Sequence, residues 1–190
     1  MPSVMPAKKF PFEDRDAILM LEQRYWQLSS PAERKREEQL ARLMVKARRD
    51  RVLSKGLFLV VVRWKSRRPT RHYRKNTGAD VRAAMRAAFA AASEADAVHA
   101  LTALHGVGLR TATALLHWMR PNEFPILDFR IVDALGTSEP HLWDSVDFYL
   151  IVAVAVRELA ARHGLNLRQV DRALWAWQKL ESRKASATRP

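Results

Sequence analysis

The sequence has no cysteine, which excludes disulfides, thiolate zinc sites, cysteine nucleophiles and iron–sulfur clusters held by cysteine. It also lacks any apolar run near the roughly 20 residues that a membrane-spanning helix needs. Its first residues lack the apolar stretch of a secretory signal. The histidines form no His-x-x-x-His pair, so no histidine-based metal site is expected. We therefore expect a cytoplasmic protein that makes no contact with membranes.

Acidic residues are few relative to basic ones: 33 lysines and arginines stand against 20 aspartates and glutamates, a net charge of +13. Between Lys46 and Lys75, twelve basic residues are opposed only by Asp50, so this run carries +11 of that charge. Such a run can be a solvated surface, but its lack of an acidic complement favours a face that binds a polyanion. Nucleic acid is the first candidate. An anionic membrane surface is second, because the run lacks a clean basic amphipathic helix.

The hydrophobic pattern is helical along nearly the whole chain, and 190 residues at 48% hydrophobic content suffice for one domain with a real core. Ser30-Pro31 is a helix-start signal, with serine as N-cap and proline at the first helical position. Ser93 and Asp96 resemble a capping box. We predict helices over residues 14–28, 32–49, 81–92, 93–104, 145–163 and 167–180, and a disordered tail over 182–190.

One stretch disagrees with the helical pattern. The run from Leu57 to Val62, Leu-Phe-Leu-Val-Val-Val, is β-branched, and propensity alone assigns it to a buried strand. A single strand would have no partner with which to form a sheet. We therefore predict a buried helix here and an all-α fold for the chain.

Two glycines, Gly106 and Gly108, stand with Val107 between two short amphipathic segments. Glycine tolerates positive φ and the close approach of another backbone. The helix predicted to begin directly after them would present free N–H groups near Gly108 to Arg110, which together with the helix dipole suit a phosphate. For a lone Gly-x-Gly pair, a simple turn between two core helices would be the plainer interpretation.

These glycines belong to a longer pattern that begins at Leu104, Leu-x-Gly-Val-Gly-x-x-Thr-Ala-x-x-Leu-Leu. The pattern resembles the helix–hairpin–helix of the HhH-GPD superfamily of DNA glycosylases, which includes endonuclease III. In that family a catalytic aspartate follows the Schiff-base lysine of bifunctional members by eighteen residues. Here Arg110 occupies the lysine position, and Asp128 lies eighteen residues further on. The resemblance is strong over residues 95–135, while elsewhere only the number and order of helices fit.

The resemblance implies a single domain, 1–190, built as two helical lobes with a DNA cleft between them. One lobe would span about 55–127 and carry the hairpin at 101–116, and the other would combine about 13–50 with 129–181. Two departures from the family matter. A guanidinium at Arg110 stays protonated and cannot act as the amine nucleophile, which predicts an enzyme without lyase activity unless another lysine, with Lys65 the nearest candidate, replaces it. The absent cysteines predict that no iron–sulfur cluster is bound.

The implied activity is that of a monofunctional DNA glycosylase of base excision repair. Such an enzyme hydrolyses the N-glycosidic bond of a damaged, mispaired or modified base that is flipped out of duplex DNA. Asp128 would stabilise the oxocarbenium-like sugar and orient or deprotonate the attacking water, while also capping the next helix. No cofactor is required. The alternative, from a different class, is a non-catalytic helix–hairpin–helix DNA-binding protein, although an aspartate at the expected spacing favours the enzyme.

The remaining predicted site residues would contact DNA, the extruded base or a cation. The residues predicted to bind DNA are Gly106, Gly108, Leu109, Arg110, Thr111, Lys65, Arg67 and Arg68. Trp64 and Tyr73 are the candidates for stacking on the base. By resemblance to the family, the backbone carbonyls of Thr102, Leu104 and Val107 would hold a structural Na⁺ or K⁺. The expected partner is double-stranded DNA, bound by a monomer that associates with the nucleoid.

Overall fold

A computed structural model of the chain describes residues 10–66, 70–136, 142 and 144–187. Within these residues every regular element is a helix, which confirms the predicted all-α class. The helices are α1 Arg15–Leu28, α2 Pro31–Asp50, α3 Lys55–Lys65, α4 Thr70–Tyr73, α5 Gly78–Ala90, α6 Glu94–Thr102, α7 Leu109–Met119, α8 Phe129–Ala134, α9 Val146–His163 and α10 Leu167–Ala187. Within the described part of the chain, none of the helices combines the length and the apolar character that crossing a bilayer requires.

Polar side chains fix where the predicted helices begin. The Ser30 side chain accepts from the N–H of Glu33, and the Glu33 carboxylate accepts from the N–H of Ser30, which closes a capping box at the start of α2. Asp14 and Ser93 cap α1 and α6 by accepting from N–H groups of the first turn. The predicted starts of these three helices are confirmed.

The β-branched run lies within helix α3, and the predicted buried helix is confirmed. Ser54 caps this helix by accepting from the N–H of Leu57. Phe58, Val61 and Val62 are fully buried, because α3 packs against α2, α5 and α7. Tertiary burial therefore overrides the strand propensity of the run.

Helix α10 extends beyond its predicted end. It continues through Ala187, so residues 182–187, which the sequence assigned to a disordered tail, are helical. The amide of Gln178 donates to the Ser182 hydroxyl, and Lys184 pairs with Glu181 on the same helix. These contacts link successive turns and stabilise the helix beyond its predicted end.

Helix α7 lies at the centre of the fold, and every residue from Thr111 to Met119 is buried. It packs against α2, α3 and α6, while α10 packs against α1, α8 and α9. Buried side chains of both groups of helices belong to one hydrophobic core. On α2, Glu37 also forms ion pairs with Arg168 and Arg172 of α10. The division into two lobes with a cleft between them stays a prediction.

Candidate active site

The loop that precedes Asp128 is held by hydrogen bonds from two helices. From α7, Thr113 Oγ1 accepts from the N–H of Leu127 at 3.0 Å. From α9, the Tyr149 hydroxyl donates to the carbonyl of Pro125 at 3.1 Å. Thr113 and Tyr149 are fully buried, so they give the loop backbone partners that water cannot supply. Asp128 is thus placed by the core of the protein.

His117 on α7 is a third anchor of this loop. Its Nδ1 lies 2.9 Å from the carbonyl oxygen of Phe124, and its side chain is buried. Burial, with the nearby charge of Arg168 adding to it, lowers the pKa of His117 to about 3. The imidazole is therefore neutral at pH 7, with Nδ1 protonated to donate to the carbonyl.

Asp128 is the N-cap of α8 and also forms an ion pair with the last residue of α3. Its Oδ1 accepts from the N–H of Arg130 at 3.1 Å, and its Oδ2 accepts from Nζ of Lys65 at 2.8 Å. The side chains of Lys65 and Asp128 are 10% and 25% exposed. The predicted capping role is confirmed. Lys65, also predicted to bind DNA, lies largely buried against the carboxylate, and its contact with DNA stays a prediction.

Burial and pairing shift the pKa of both groups. Burial opposes ionisation of Asp128, but the charge and hydrogen bond of Lys65, with the N–H of Arg130, hold its pKa below the ordinary value. Burial lowers the pKa of Lys65, and the attraction of Asp128 offsets this only in part. The like charges of Arg168 and Arg110 lower it further. The carboxylate is therefore ionised at neutral pH, and the ammonium releases its proton more readily than an exposed lysine does.

The ion pair lies on the wall of a cavity of about 400 Å³. Tyr25, Trp64 and Trp175 supply aromatic surface to this cavity. Its volume falls within the range of roughly 300–1,000 Å³ that small-molecule sites occupy. Three residues named from the sequence, Trp64, Lys65 and Asp128, are therefore brought together at one cavity.

A buried charge network forms another part of the cavity wall. The carboxylate of Glu37 accepts from the Tyr25 hydroxyl at 2.6 Å and pairs with Arg168 at 2.8 Å and Arg172 at 2.7 Å. Burial opposes ionisation of Glu37, but the two arginines lower its pKa to about 2. Burial raises the pKa of Tyr25 to about 12, and the charge of Glu37 adds to this shift. Arg168 also pairs with Asp171, so carboxylates on two helices fix its guanidinium.

The two hairpin glycines have different roles. Gly106 has φ of +79°, and a Cβ there would lie 2.7 Å from Cβ of His72. The positive φ that glycine tolerates is thus required at Gly106, and the close approach there is made by the side chains of His72 and Tyr73 rather than by another backbone. Gly108 is the N-cap of α7, and no side chain caps the N–H groups at this helix start. A Cβ at Gly108 would have no neighbouring atom within 4 Å. Its lack of a side chain leaves the start of α7 open to a ligand from outside the protein.

Asn76 holds the hairpin turn in place through side-chain hydrogen bonds to backbone groups, and this role was not predicted from the sequence. Its Oδ1 accepts from the N–H of His105 at 2.8 Å, and its Nδ2 donates to the carbonyls of His105 and Tyr73 at 3.0 Å each. The side chain is buried. Sequence gives no signal for this role, because His105 is 29 residues away.

Asn76→Ala is expected to lower the free energy of unfolding by about 2–4 kcal/mol, because it leaves buried backbone groups of the turn without partners. The measurement is urea unfolding followed by circular dichroism. Asn122, exposed in the loop after α7, provides the matched control, and Asn122→Ala should change stability by less than about 0.5 kcal/mol. Equal effects from the two variants would contradict the role of Asn76.

Other predicted DNA-binding residues are less available than expected. The side chains of Leu109 and Thr111 are buried at 6% and 7% exposure, because they face the core from the first turn of α7. The Thr111 hydroxyl lies 3.4 Å from that of Tyr73. Arg110 is partly exposed and pairs with Asp144 at 3.7 Å. The side chains of Leu109 and Thr111 therefore pack in the core, and contact of these residues with DNA stays a prediction.

Of the two predicted base-pocket residues, the cavity includes Trp64 and not Tyr73. Tyr73 is fully buried with its ring edge-on to Phe58, because its position at the end of α4 places it beneath the hairpin glycine. Trp64 packs edge-on against Trp118, with a centroid distance of 5.5 Å. The guanidinium of Arg168 lies 5.2 Å from the Trp64 ring centre. Arg67 and Arg68, also predicted to bind DNA, lie outside the described residues.

The carbonyls named for a monovalent cation flank the turn at Gly106. Their neutral oxygens are the donor type that Na⁺ and K⁺ take, so the chemistry of Thr102, Leu104 and Val107 fits such an ion. The Leu104 carbonyl also accepts from the N–H of Val107 at 3.0 Å, which leaves it a second lone pair. No cluster of three or more histidine or acidic side chains suited to a metal occurs in the described part of the chain. The cation stays a prediction.

The buried charges that surround the cavity were not predicted from the sequence. Glu37 shares a helical face with Leu40 and Met44, and Asp171 shares one with Leu167 and Leu174. A charged residue on an otherwise apolar face was the available signal, since lone buried charges are rare.

Residues of the basic run between Lys46 and Lys75 line two separate cavities. Arg63 and Lys65 line the cavity beside Asp128, while Arg48 and Arg51 line another cavity with Arg120. The run therefore supplies cations both to the Asp128 cavity and elsewhere.

Comparison with known proteins leaves the site to be interpreted from its own geometry. The chain matches no family model, no curated protein and no solved structure.

Proposed function

We propose that this protein is a DNA glycosylase that removes a damaged, mispaired or modified base from double-stranded DNA. The observation that carries the proposal is the carboxylate of Asp128, which is ionised, partly exposed and located on the wall of a cavity. Such a carboxylate suits a reaction in which positive charge develops on a bound sugar.

In the proposed reaction the target nucleotide is flipped into the cavity, and its N-glycosidic bond breaks. Positive charge then spreads over C1′ and the ring oxygen of the sugar. Asp128 would stabilise that charge and orient water toward C1′. Because its pKa lies below the ordinary value, the carboxylate is charged at neutral pH and acts on the sugar chiefly through that charge. The reaction needs no cofactor.

Aromatic side chains at the cavity support the binding of a flat base. Tyr25, Trp64 and Trp175 line the cavity that holds Asp128, and base–aromatic stacking contributes about 1–3 kcal/mol per base. Arg168 and Glu37 pair with each other at 2.8 Å, so their charges offset each other at this wall. The aromatic surface thus accommodates a base whether that base is neutral or charged.

The contacts with the DNA backbone are proposed to come from the hairpin and the basic run. The open start of α7 at Gly108 suits a phosphate. Exposed Arg63 lines the cavity next to Trp64, and Arg67 and Arg68 follow in the sequence. These cations would position a monomer on the duplex without reading its sequence.

The competing proposal is a non-catalytic helix–hairpin–helix DNA-binding protein. A protein that only binds phosphates needs exposed cations and has no use for a lysine–aspartate pair in a cavity. The 2.8 Å pair of Lys65 and Asp128 therefore favours the enzyme. The sequence predicts excision by hydrolysis alone, because Arg110 stands at the family's lysine position, and this stays a prediction.

The test is an excision panel. Labelled duplexes carrying uracil, alkylated purines, oxidised bases, mismatches or modified cytosines are incubated with the protein, and abasic sites are then cleaved with alkali. We expect a strand break at one class of base with the wild type and none with Asp128→Asn. If no member of the panel yields abasic product although the protein binds duplex DNA, the non-catalytic alternative is correct.

Duplex binding is expected to weaken steeply as salt rises, because phosphate contacts release counterions. Arg63→Glu should lower the slope of log K against log salt concentration by about 1 or more. The matched control is Arg24→Glu, since Arg24 is exposed on α1 and lines neither the Asp128 cavity nor the one at Arg48. Fluorescence anisotropy with a labelled duplex measures both. Equal slopes for the two variants would exclude Arg63 from the DNA contact, and the same change at Arg67 or Arg68 tests the sequence prediction.

A further inference from the structure

Helix α3 ends by placing a primary amine inside the cavity, beside the carboxylate. Nζ of Lys65 lies 2.8 Å from Oδ2 of Asp128, and the lysine side chain is 10% exposed. Among the described residues that line this cavity, Lys65 is the only lysine, and the other basic residues are Arg36, Arg63 and Arg168. An arginine stays protonated and cannot attack a carbonyl carbon, whereas a lysine amine can. The cavity therefore holds one nitrogen nucleophile.

The surroundings of Lys65 make its ammonium group release a proton more readily than an exposed lysine does, although Asp128 opposes this shift. Burial lowers its pKa, and the like charges of Arg168 and Arg110 act in the same direction. Lysines that form Schiff bases are activated by this combination of desolvation and neighbouring cations. Asp128, at hydrogen-bond distance, can receive the proton that the amine must lose.

We propose that Lys65 is a nucleophile that forms a Schiff base with C1′ of an abasic deoxyribose and cleaves the DNA strand at that site. This inference rests on the proposed function, because excision of a base produces the abasic sugar, whose open form is an aldehyde. It differs from the prediction of hydrolysis alone: the amine comes from the end of α3, while the hairpin position holds Arg110, paired with Asp144.

The reaction needs no oxidant or metal. The Nζ lone pair attacks C1′, and a proton passes from nitrogen through Asp128 to the aldehyde oxygen. A proton from solvent then lets that hydroxyl leave as water, and the nitrogen lone pair forms the protonated imine. Loss of a proton from C2′ to Asp128 supplies the electrons for the C2′–C3′ double bond, and the 3′ phosphate leaves with the C3′–O electron pair. Water hydrolyses the imine and restores Lys65.

The test uses a duplex with a preformed natural abasic site, so it does not depend on which base is excised. Borohydride reduces an imine to a stable amine, and we expect a covalent protein–DNA adduct together with strand cleavage in the absence of alkali. Mass spectrometry of the digested wild-type adduct should locate it at Lys65. This measurement needs no variant, so it holds even if substitutions impair folding.

Two lysine-to-arginine variants test whether Lys65 itself is the nucleophile. Lys65→Arg keeps a cation for Asp128 but no nucleophile, and it should reduce trapping and strand cleavage by at least about 100-fold with duplex binding retained. Lys35→Arg is the matched control and should trap like the wild type, because Lys35 is exposed on α2, lies outside the basic run and does not line the cavity. An adduct mapped to another residue, or no adduct from wild-type protein that binds the abasic duplex, overturns the proposal.

Failure of the inference and failure of the proposed function give different results. Base excision that is visible only after alkali, with no trapped adduct, supports the glycosylase and overturns the role of Lys65. Trapping at Lys65 on abasic DNA without excision of any base in the panel supports the nucleophile and overturns the glycosylase.

Discussion

Asp128→Asn is expected to reduce the single-turnover rate of base excision by roughly 10³- to 10⁴-fold, the loss that follows removal of a principal charge or general-base group from an active site. Asparagine has nearly the same shape as aspartate but no charge to stabilise the cationic sugar. It can still accept the hydrogen bond from the N–H of Arg130 and serve as N-cap of α8. The fold should therefore survive, with Lys65 shifted toward its neutral form.

The rate is measured on the substrate that the excision panel identifies, with circular dichroism and duplex affinity as checks on folding and binding. Asp147, which is exposed in the first turn of α9 and does not line the cavity, is the matched control. Asp147→Asn should excise at the wild-type rate. If Asp128→Asn also excises at that rate, the carboxylate is not the catalyst.

Acid is expected to destabilise the protein strongly, through His117 and Glu37. His117 has a pKa of about 3 in the folded chain against 6.5 as reference, and Glu37 about 2 against 4.5. Each pKa is lower in the folded than in the unfolded state, so the unfolded state takes up more protons as the pH falls. The contribution of Glu37 is complete above pH 4.5 and is lost as the pH falls toward 2. Destabilisation through His117 begins below pH 6.5.

The expected free energy of unfolding falls as the pH drops below 6.5, where His117 takes up a proton only in the unfolded state, and it falls more steeply below pH 4.5, where Glu37 does so too. An ordinary domain is stable by only about 5–15 kcal/mol, so two such groups contribute a large fraction of the stability. We therefore expect acid unfolding between about pH 3 and 5. Urea unfolding at a series of pH values measures the slope.

A variant of His117 distinguishes the contribution of His117 to the pH dependence of stability from that of Glu37. His117→Gln can still donate to the Phe124 carbonyl but does not titrate, so the slope between pH 6.5 and 4.5 should drop by about one proton. His99, exposed on α6, is the matched control, because its side chain meets solvent in both states. A wild-type protein whose stability is flat from pH 6.5 to 5 would contradict the buried neutral imidazole.

The helices were largely predictable because their signals are local. Ser30 and Glu33 stand three residues apart, and a capping box needs no partner beyond them. The N-cap role of Asp128 depended in the same way on the residues that follow it. The run from Leu57 to Val62 required one further argument, that a lone strand has no partner, and burial in the core bears that argument out.

The sequence by itself determined the all-α class, most helix starts, the positive φ at Gly106 and the importance of Asp128 as a cap. Only the tertiary structure decided that Lys65 pairs with Asp128 across 63 residues, and that Glu37 reaches Arg168 across 131. Partners so far apart leave no periodic or spacing signal, because the packing of separate helices brings them together. For the same reason Tyr73, an aromatic residue like Trp64, lies in the core while Trp64 lines the cavity.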